Sequence, residues 1–277
     1  MAGAGATTPA EVVAAAPAGD WRAIDPHDLL VIDLASGRRV AIALAPAFAP
    51  AHVANIRALA RAHWYDGLWV SRVQDNYVAQ WGDPDEKKPL PDTVARTVAA
   101  EYERPAKGLV LDKLPYRDSF APTVGFAAGW PVAAAAGTAW LAHCYGMVGV
   151  GRDKAPDTGT GAELYAVIGH APRALDRNIA LVGRVIDGID ALAALPRGTK
   201  DLGFYATVAE RMPIVSVRMA ADLPPAQRPM FEMLRSDSAS FAAWVKVRAN
   251  RRDDFFIRPA GAIDLCNALP PVRLAKR

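Results

Sequence analysis

Two periodicities alternate along the chain from Leu29 onward. Leu29–Leu34 and residues 38–44 alternate apolar with polar positions, and Ser36-Gly37 sits between them, which predicts a β-hairpin. After Pro50 the apolar residues Val53, Ile56, Leu59 and Ala60 recur at helical spacing, with Arg57 and Arg61 on the other face, so a helix opening at Pro50 is predicted. Residues 68–73 and 77–81 read as short strands around a polar turn. Residues 147–151, 163–168 and 181–186 read as strands, 188–195 as a short helix and 213–219 as a last strand. Residues 224–252 read as a helix interrupted near 236–240, and 253–277 is irregular.

Between these elements the pattern breaks down. Residues 1–26 are rich in Ala, Thr, Pro and Gly and lack periodicity, which predicts a flexible N-terminal segment with a short helix at Pro9–Ala15. Residues 83–142 carry Pro84, Pro89, Pro91, Pro105, Pro115, Pro122 and Pro131. The expected organisation is a flexible segment 1–26, a domain over 27–220 interrupted at about 83–142, and a helical extension over 221–277.

Composition narrows the class. The chain has 277 residues, of which 52% are hydrophobic, enough for one large domain with attachments and a full core. A net charge of +3 gives no electrostatic argument for a nucleic-acid partner. No run of apolar residues is long enough to predict a membrane span. The start, Met1-Ala2-Gly3-Ala4-Gly5-Ala6, has neither a basic n-region nor an apolar h-region and is not read as a signal peptide. Cys144 and Cys266 lie far apart and outside any CxxC. Two independent buried thiols are expected, with a disulfide as the alternative.

The densest chemistry runs from His63 to Pro84: H-W-Y-D-G-L-W-V-S-R-V-Q-D-N-Y-V-A-Q-W-G-D-P. This stretch resembles the active-site signature of the cyclophilins, the peptidyl-prolyl isomerases. Tyr65-Asp66-Gly67, Arg72-Val73, Gln80 and Gly82-Asp83-Pro84 fall in the family's register. A second block continues the resemblance: Gly161-Ala162-Glu163-Leu164-Tyr165-Ala166-Val167, Leu175-Asp176, and Val182-Gly183-Arg184-Val185 followed by Ile186-Asp187-Gly188-Ile189. It covers about residues 28–82 and 143–220, so 83–142 reads as an insertion emerging beside the site. The resemblance implies a mainly β fold, a closed eight-stranded antiparallel barrel capped by helices. It implies isomerisation of proline-containing polypeptides and assistance to folding, with no cofactor and no metal.

The residue types suit that chemistry. A peptide bond resists rotation by about 18–20 kcal/mol, because its nitrogen shares its lone pair with the carbonyl, and X-Pro bonds interconvert slowly. A catalyst needs no nucleophile. It must hold the proline ring and favour the twisted state in which the lone pair is localised on nitrogen, and a fixed charged donor aimed at that nitrogen does so. The resemblance makes Arg72 that donor and Gln80 its hydrogen-bond partner or a contact for the substrate backbone. It places Tyr77, Val78, Glu163, Tyr165, Leu175, Ile179 and Val182 in the substrate-binding site. Taken singly, a strand arginine is a surface salt bridge, and Tyr77, Val78 and Leu175 are ordinary core residues; the shared register carries the assignment.

Departures from the family accompany it. Val70, Tyr77 and Tyr165 replace phenylalanines, Glu163 a glutamine, Ile179 a histidine and Ala174 a tryptophan. The loop over residues 150–160 is longer than usual, which leaves the peptide-binding asparagine without a clear counterpart; Arg152 or Asp153 lies nearest. These changes imply a shallower or more polar pocket. The alternative function is therefore a catalytically weak cyclophilin-like module that binds Pro-containing peptides or a partner protein.

Other motifs are weak. Gly149-Val150-Gly151 and Gly159-Thr160-Gly161 lack the strand-to-helix context of a P-loop. His143-Cys144 has no partner pair at metal spacing. Lys246, Arg248, Arg251 and Arg252 fit a solvated helix end, with an anionic partner as the alternative. The excess of Ala, and of Arg over Lys, fits a GC-rich bacterial genome, and relatives of this organisation point to the periplasm, with the cytoplasm as the alternative. The oligomeric state is left open.

Overall fold

The hairpin expected at the start of the patterned region is β1 (Leu29–Leu34) and β2 (Arg39–Leu44) of a computed structural model describing residues 7–85, 87–253 and 255–275. Six further strands follow: β3 (Trp69–Val73), β4 (Val78–Gly82), β5 (Met147–Val150), β6 (Glu163–Val167), β7 (Leu181–Asp187) and β8 (Met212–Met219). They close into a barrel in the order β5-β6-β4-β3-β8-β1-β2-β7, every neighbouring pair antiparallel. The eight-stranded closed antiparallel barrel is the expected fold. Closure leaves no sheet edge to pair with another chain.

Alternation along each strand fills the barrel. Leu30, Ile32, Ile42, Val70, Trp81, Leu164 and Val182 are all buried in one core cluster. Helix α1 (Pro50–Arg61) adds Val53, Ile56, Leu59 and Ala60 to it, the face predicted from spacing. The N-cap of α1, Ala49, offers no side-chain acceptor. Glu101 supplies one instead, accepting from the backbone N–H of Ala51 and of His52 at 2.9 and 3.0 Å. Its Oε2 also lies 2.6 Å from His52 Nδ1. The short helix α2 (Ile189–Ala193) starts at Gly188, where φ is 76° and an added Cβ would stand 2.1 Å from the Arg39 carbonyl oxygen. Only glycine fits there.

The barrel belongs to a compact unit comprising Asp25–Arg104 and His143–Pro229. A second unit gathers the chain up to Ile24, Pro105–Ala142 and the chain from Met230 onward. It holds a three-stranded sheet with Phe231–Leu234 between Trp21–Ala23 and Val272–Leu274. It also holds an antiparallel meander of Thr123–Ala127, Trp130–Ala135 and Thr138–Leu141. The helix Ala239–Ala249 is capped by Ser238, whose Oγ accepts from the Phe241 N–H, and Phe241 meets Phe126 edge-on at 5.2 Å.

This division corrects the expected domain organisation. The N-terminal segment read as flexible holds, besides the expected helix Pro9–Ala15, an unexpected strand, Trp21–Ala23; residues 1–6 lie outside the described residues. The strand is ordered because its partner, Phe231–Leu234, comes from the other end of the sequence, and local pattern carries no sign of such pairing. The helix read over 224–252 begins only after Ser238, since Phe231, Met233 and Leu234 are buried in the central strand. The insertion is shared between the units, dividing at Arg104 and Pro105. The cysteines are also corrected: neither is a free thiol, and both are disulfide-bonded. Sequence separation says nothing about the Cα distance that decides this. Among the described residues no helix is long and apolar enough to cross a membrane.

Candidate active site

Register across three strands assembles the site. Arg72 on β3 stands opposite Gln80 on β4, after a register shift that follows Val70, and Gln80 stands opposite Tyr165 on β6. The neighbours Ala79, Trp81, Leu164 and Ala166 point into the barrel core. Strand alternation therefore sends Gln80, Tyr165 and Glu163 to the outer face, and the irregularity in β3 aims Arg72 at the same face.

Arg72 is held on several sides. Its Nε–H donates to the Leu202 carbonyl at 2.6 Å and Nη1 donates to Gln80 Oε1 at 2.9 Å. Nη2 donates to Gln74 Oε1. Three of the five guanidinium donors are thereby engaged and two remain for a ligand. The rings of Phe204 and Tyr77 lie 5.2 and 5.6 Å from its central carbon. Burial lowers its pKa, opposed by Tyr77 and by the negative charge of Glu163. An arginine starts so high that it stays cationic at neutral pH.

Beside the guanidinium lies a small apolar cluster separate from the barrel core. Val78, Tyr165 and Val167 form it, with Tyr77 and Ile179 packed against them. Leu175 is half-buried in the 3₁₀ turn Arg173–Leu175 nearby in sequence. Of the residues expected at the site, the structure brings Arg72, Gln80, Tyr77, Val78, Glu163, Tyr165 and Ile179 to this face. It does not bring Val182, which is fully buried in the barrel core because the alternation of β7 turns it inward. Arg152, a candidate for the missing asparagine, donates through Nε and Nη2 to the Asn178 carbonyl, at 3.1 and 2.8 Å.

A polar network under the cluster escaped sequence reasoning. Tyr165 Oη lies 3.0 Å from His143 Nε2, and His143 Nδ1 lies 3.1 Å from Asp176 Oδ1. The His143 backbone N–H donates to the same oxygen at 2.9 Å, and Arg173 Nε donates to Asp176 Oδ2 at 2.6 Å. Burial alone would raise the Asp176 pKa, but the hydrogen bond from His143 and the charge of Arg173 outweigh it and hold the carboxyl below its ordinary range. Burial pushes the Tyr165 phenol up, so it stays protonated. Room for that phenol comes from Gly149, its cross-strand partner, where an added Cβ would stand 2.3 Å from Tyr165 Oη. Replacing phenylalanine by tyrosine thus calls on Gly149, His143 and Asp176 together. The one signal in the sequence was an aspartate following Leu175, and it was useful only as register. Among the described residues no group of three or more His, Cys, Asp or Glu side chains could hold a metal ion.

The fold and the site define a β-barrel protein with an anchored arginine beside a small apolar cluster on the outward side of the barrel wall, Tyr77 and Ile179 being its partly exposed members. Residues 30–219 match the family described as cyclophilin type peptidyl-prolyl cis-trans isomerase/CLD, and the chain belongs to that family. It is accordingly an isomerase, and folding assistance is the family's general role. Two curated relatives, each described as a probable peptidyl-prolyl cis-trans isomerase, come from Brucella suis biovar 1 and Brucella melitensis biotype 1. Each is 26% identical over 181 residues, covering 64% of this chain and 76% of the relative. The crystal structure of cyclophilin AquaCyp293 from Hirschia baltica is similar with a TM-score of 0.72 at 25% identity, covering 97% of this chain and 98% of that one. That likeness extends to segments outside residues 30–219.

Proposed function

We propose that Arg72 is the catalytic donor of this isomerase and that its substrates are X-Pro bonds in unfolded or loop-exposed polypeptide. The observation that carries the reading is the anchored guanidinium with two donors left over beside the Tyr77, Val78, Tyr165 and Ile179 patch. The patch takes the proline ring. One remaining N–H meets the prolyl nitrogen as its lone pair localises, and the other meets the preceding carbonyl. The first interaction exists only in the twisted state, so it lowers the barrier rather than merely tightening binding.

The test is isomerisation of a proline tetrapeptide by the purified protein, with Arg72→Lys beside it. The ammonium keeps the charge but loses the planar fork, and a loss of about tenfold or more in kcat/KM is expected, equivalent to about 1.4 kcal/mol. A variant that keeps the fold and the normal rate removes Arg72 from the role. The second reading, a weak module that binds Pro-containing peptides, is favoured by Glu163, whose charge reaches Arg72. A peptide titration that saturates while the rate stays at the uncatalysed level selects it.

The proposed compartment is the periplasm. Both cysteines are disulfide-bonded, and structural disulfides persist in oxidising compartments. Alkylation before lysis, followed by mass measurement, reports whether the two thiols are blocked in the cell. Two alkylated cysteines overturn the proposal.

A further inference from the structure

The loop following α2 reaches back to Arg72, and nothing in the isomerase reading requires an aromatic residue there. Gly198 N–H donates to the Val73 carbonyl at 2.9 Å, and Tyr205 N–H to the Ser71 carbonyl at 3.1 Å, so the two ends of the loop are tied to β3 on either side of Arg72. Between them Phe204 forms an isolated antiparallel bridge with Arg72. Lys200 N–H donates to the Phe204 carbonyl at 2.9 Å, and Tyr205 Oη to the Pro196 carbonyl at 2.5 Å, which closes the loop on itself. At its tip Leu202 sits at φ 58°, a region that a residue with a Cβ seldom occupies. That conformation accompanies the aim of the Leu202 carbonyl at Arg72 Nε. The Leu202 side chain is left 65% exposed, so it is not apolar burial that holds the tip there.

We infer that Phe204 is a positioning residue for Arg72: its ring and the Leu202 carbonyl hold the guanidinium plane so that the two remaining donors face the apolar patch. The inference rests on Arg72 being the catalytic donor. A carbonyl fixes one N–H direction, and an aromatic face attracts the whole cation. Together with Gln80 and Gln74 they leave the guanidinium little rotational freedom. A side chain with four torsions reaches the transition state already oriented, and the gain belongs to kcat rather than to KM.

The experiment uses the full chain and compares Phe204→Leu, Phe204→Tyr and Arg72→Ala with the unsubstituted protein on one proline tetrapeptide. Leucine keeps apolar bulk and loses the π face. Phe204→Leu is expected to lower kcat by about three- to tenfold with KM nearly unchanged, and Phe204→Tyr to restore most of that rate. The NMR resonance of the Arg72 Nε–H is expected to move in Phe204→Leu, as the ring current is removed, and to stay near its place in Phe204→Tyr. If Arg72→Ala keeps its rate, the underlying assignment of Arg72 fails. If Arg72→Ala is inactive while Phe204→Leu keeps kcat within twofold, the positioning role alone is overturned. An equal loss in the leucine and tyrosine variants, or a loss with the Nε–H resonance unmoved, overturns it as well.

Discussion

At the scale of single residues the site is governed by which charges are buried together. Glu163 stands where the family carries a neutral amide, on the face of Arg72 and within its electrostatic reach. An ionised carboxylate accepts hydrogen bonds but cannot donate them, and it draws on the same cation that the reaction uses. Glu163→Gln is expected to raise kcat/KM a few-fold on peptides with alanine before the proline. It is also expected to erase a preference for lysine over glutamate at that position. Identical rates and ranking of the three peptides in both proteins remove Glu163 from the site. Asp176 behaves differently, because its partners offset its burial and depress its pKa. A depressed carboxyl contributes stability that is present above its unfolded value near 3.8 and lost as pH falls through the lower folded value. Asp176→Asn removes the buried carboxylate that accepts from Arg173 and His143 and is expected to cost about 3 kcal/mol at neutral pH. The gap between the two melting curves should close in acid, below the unfolded value. A gap that stays constant from neutral pH down to pH 2–3 contradicts the linkage.

Elements are fixed here by groups supplied from a distance. Helix α1 begins at Pro50 after an alanine that cannot cap it, and Glu101 fills that place across the insertion. A carboxylate at a helix N-terminus satisfies orphan N–H groups and meets the positive end of the dipole. Glu101→Ala is expected to cost about 2 kcal/mol of stability, read in a denaturant titration. A midpoint that does not move shows that the first turn of α1 is capped well enough by water. The same pattern explains the loop over Gly198–Tyr205, whose conformation follows from the strand to which it is tied rather than from its own composition.

Each compact unit, taken as a whole, depends on segments that are remote in sequence. Trp21–Ala23 forms an outer strand beside Phe231–Leu234, with Trp21 buried and the Arg273 guanidinium 3.8 Å from its ring centre. Deleting the chain through Ile24 uncovers that strand edge and removes the Trp21 ring. A loss of about 3–5 kcal/mol is expected, the usual cost of removing a buried tryptophan side chain, with the second unit unfolding first in hydrogen exchange. Unchanged protection of the Phe231–Leu234 amides in the truncated chain contradicts it.

Much of the barrel was legible in the sequence alone. The β1–β2 hairpin, α1 and strands β3 to β8 follow from local alternation and helical spacing, which depend on neighbours within a few residues. The Arg72 and Gln80 pairing was legible only through the family resemblance, which sets the two residues in one register; the spacing of one arginine and one glutamine carries no such information by itself. What only the tertiary structure decided is long-range. Val182 satisfies the motif, yet the pleat of β7 turns it inward. The part of the 224–252 helix read before its interruption near 236–240 gives way to a strand, because Phe231–Leu234 has partners from both ends of the chain. Gly149, His143 and Asp176 act on Tyr165 only once β5, β6 and the 3₁₀ turn meet. Phe204 reaches Arg72 only through a loop tied to β3. Periodicity records which side of an element is apolar, and it holds no information about which distant group arrives to meet that side.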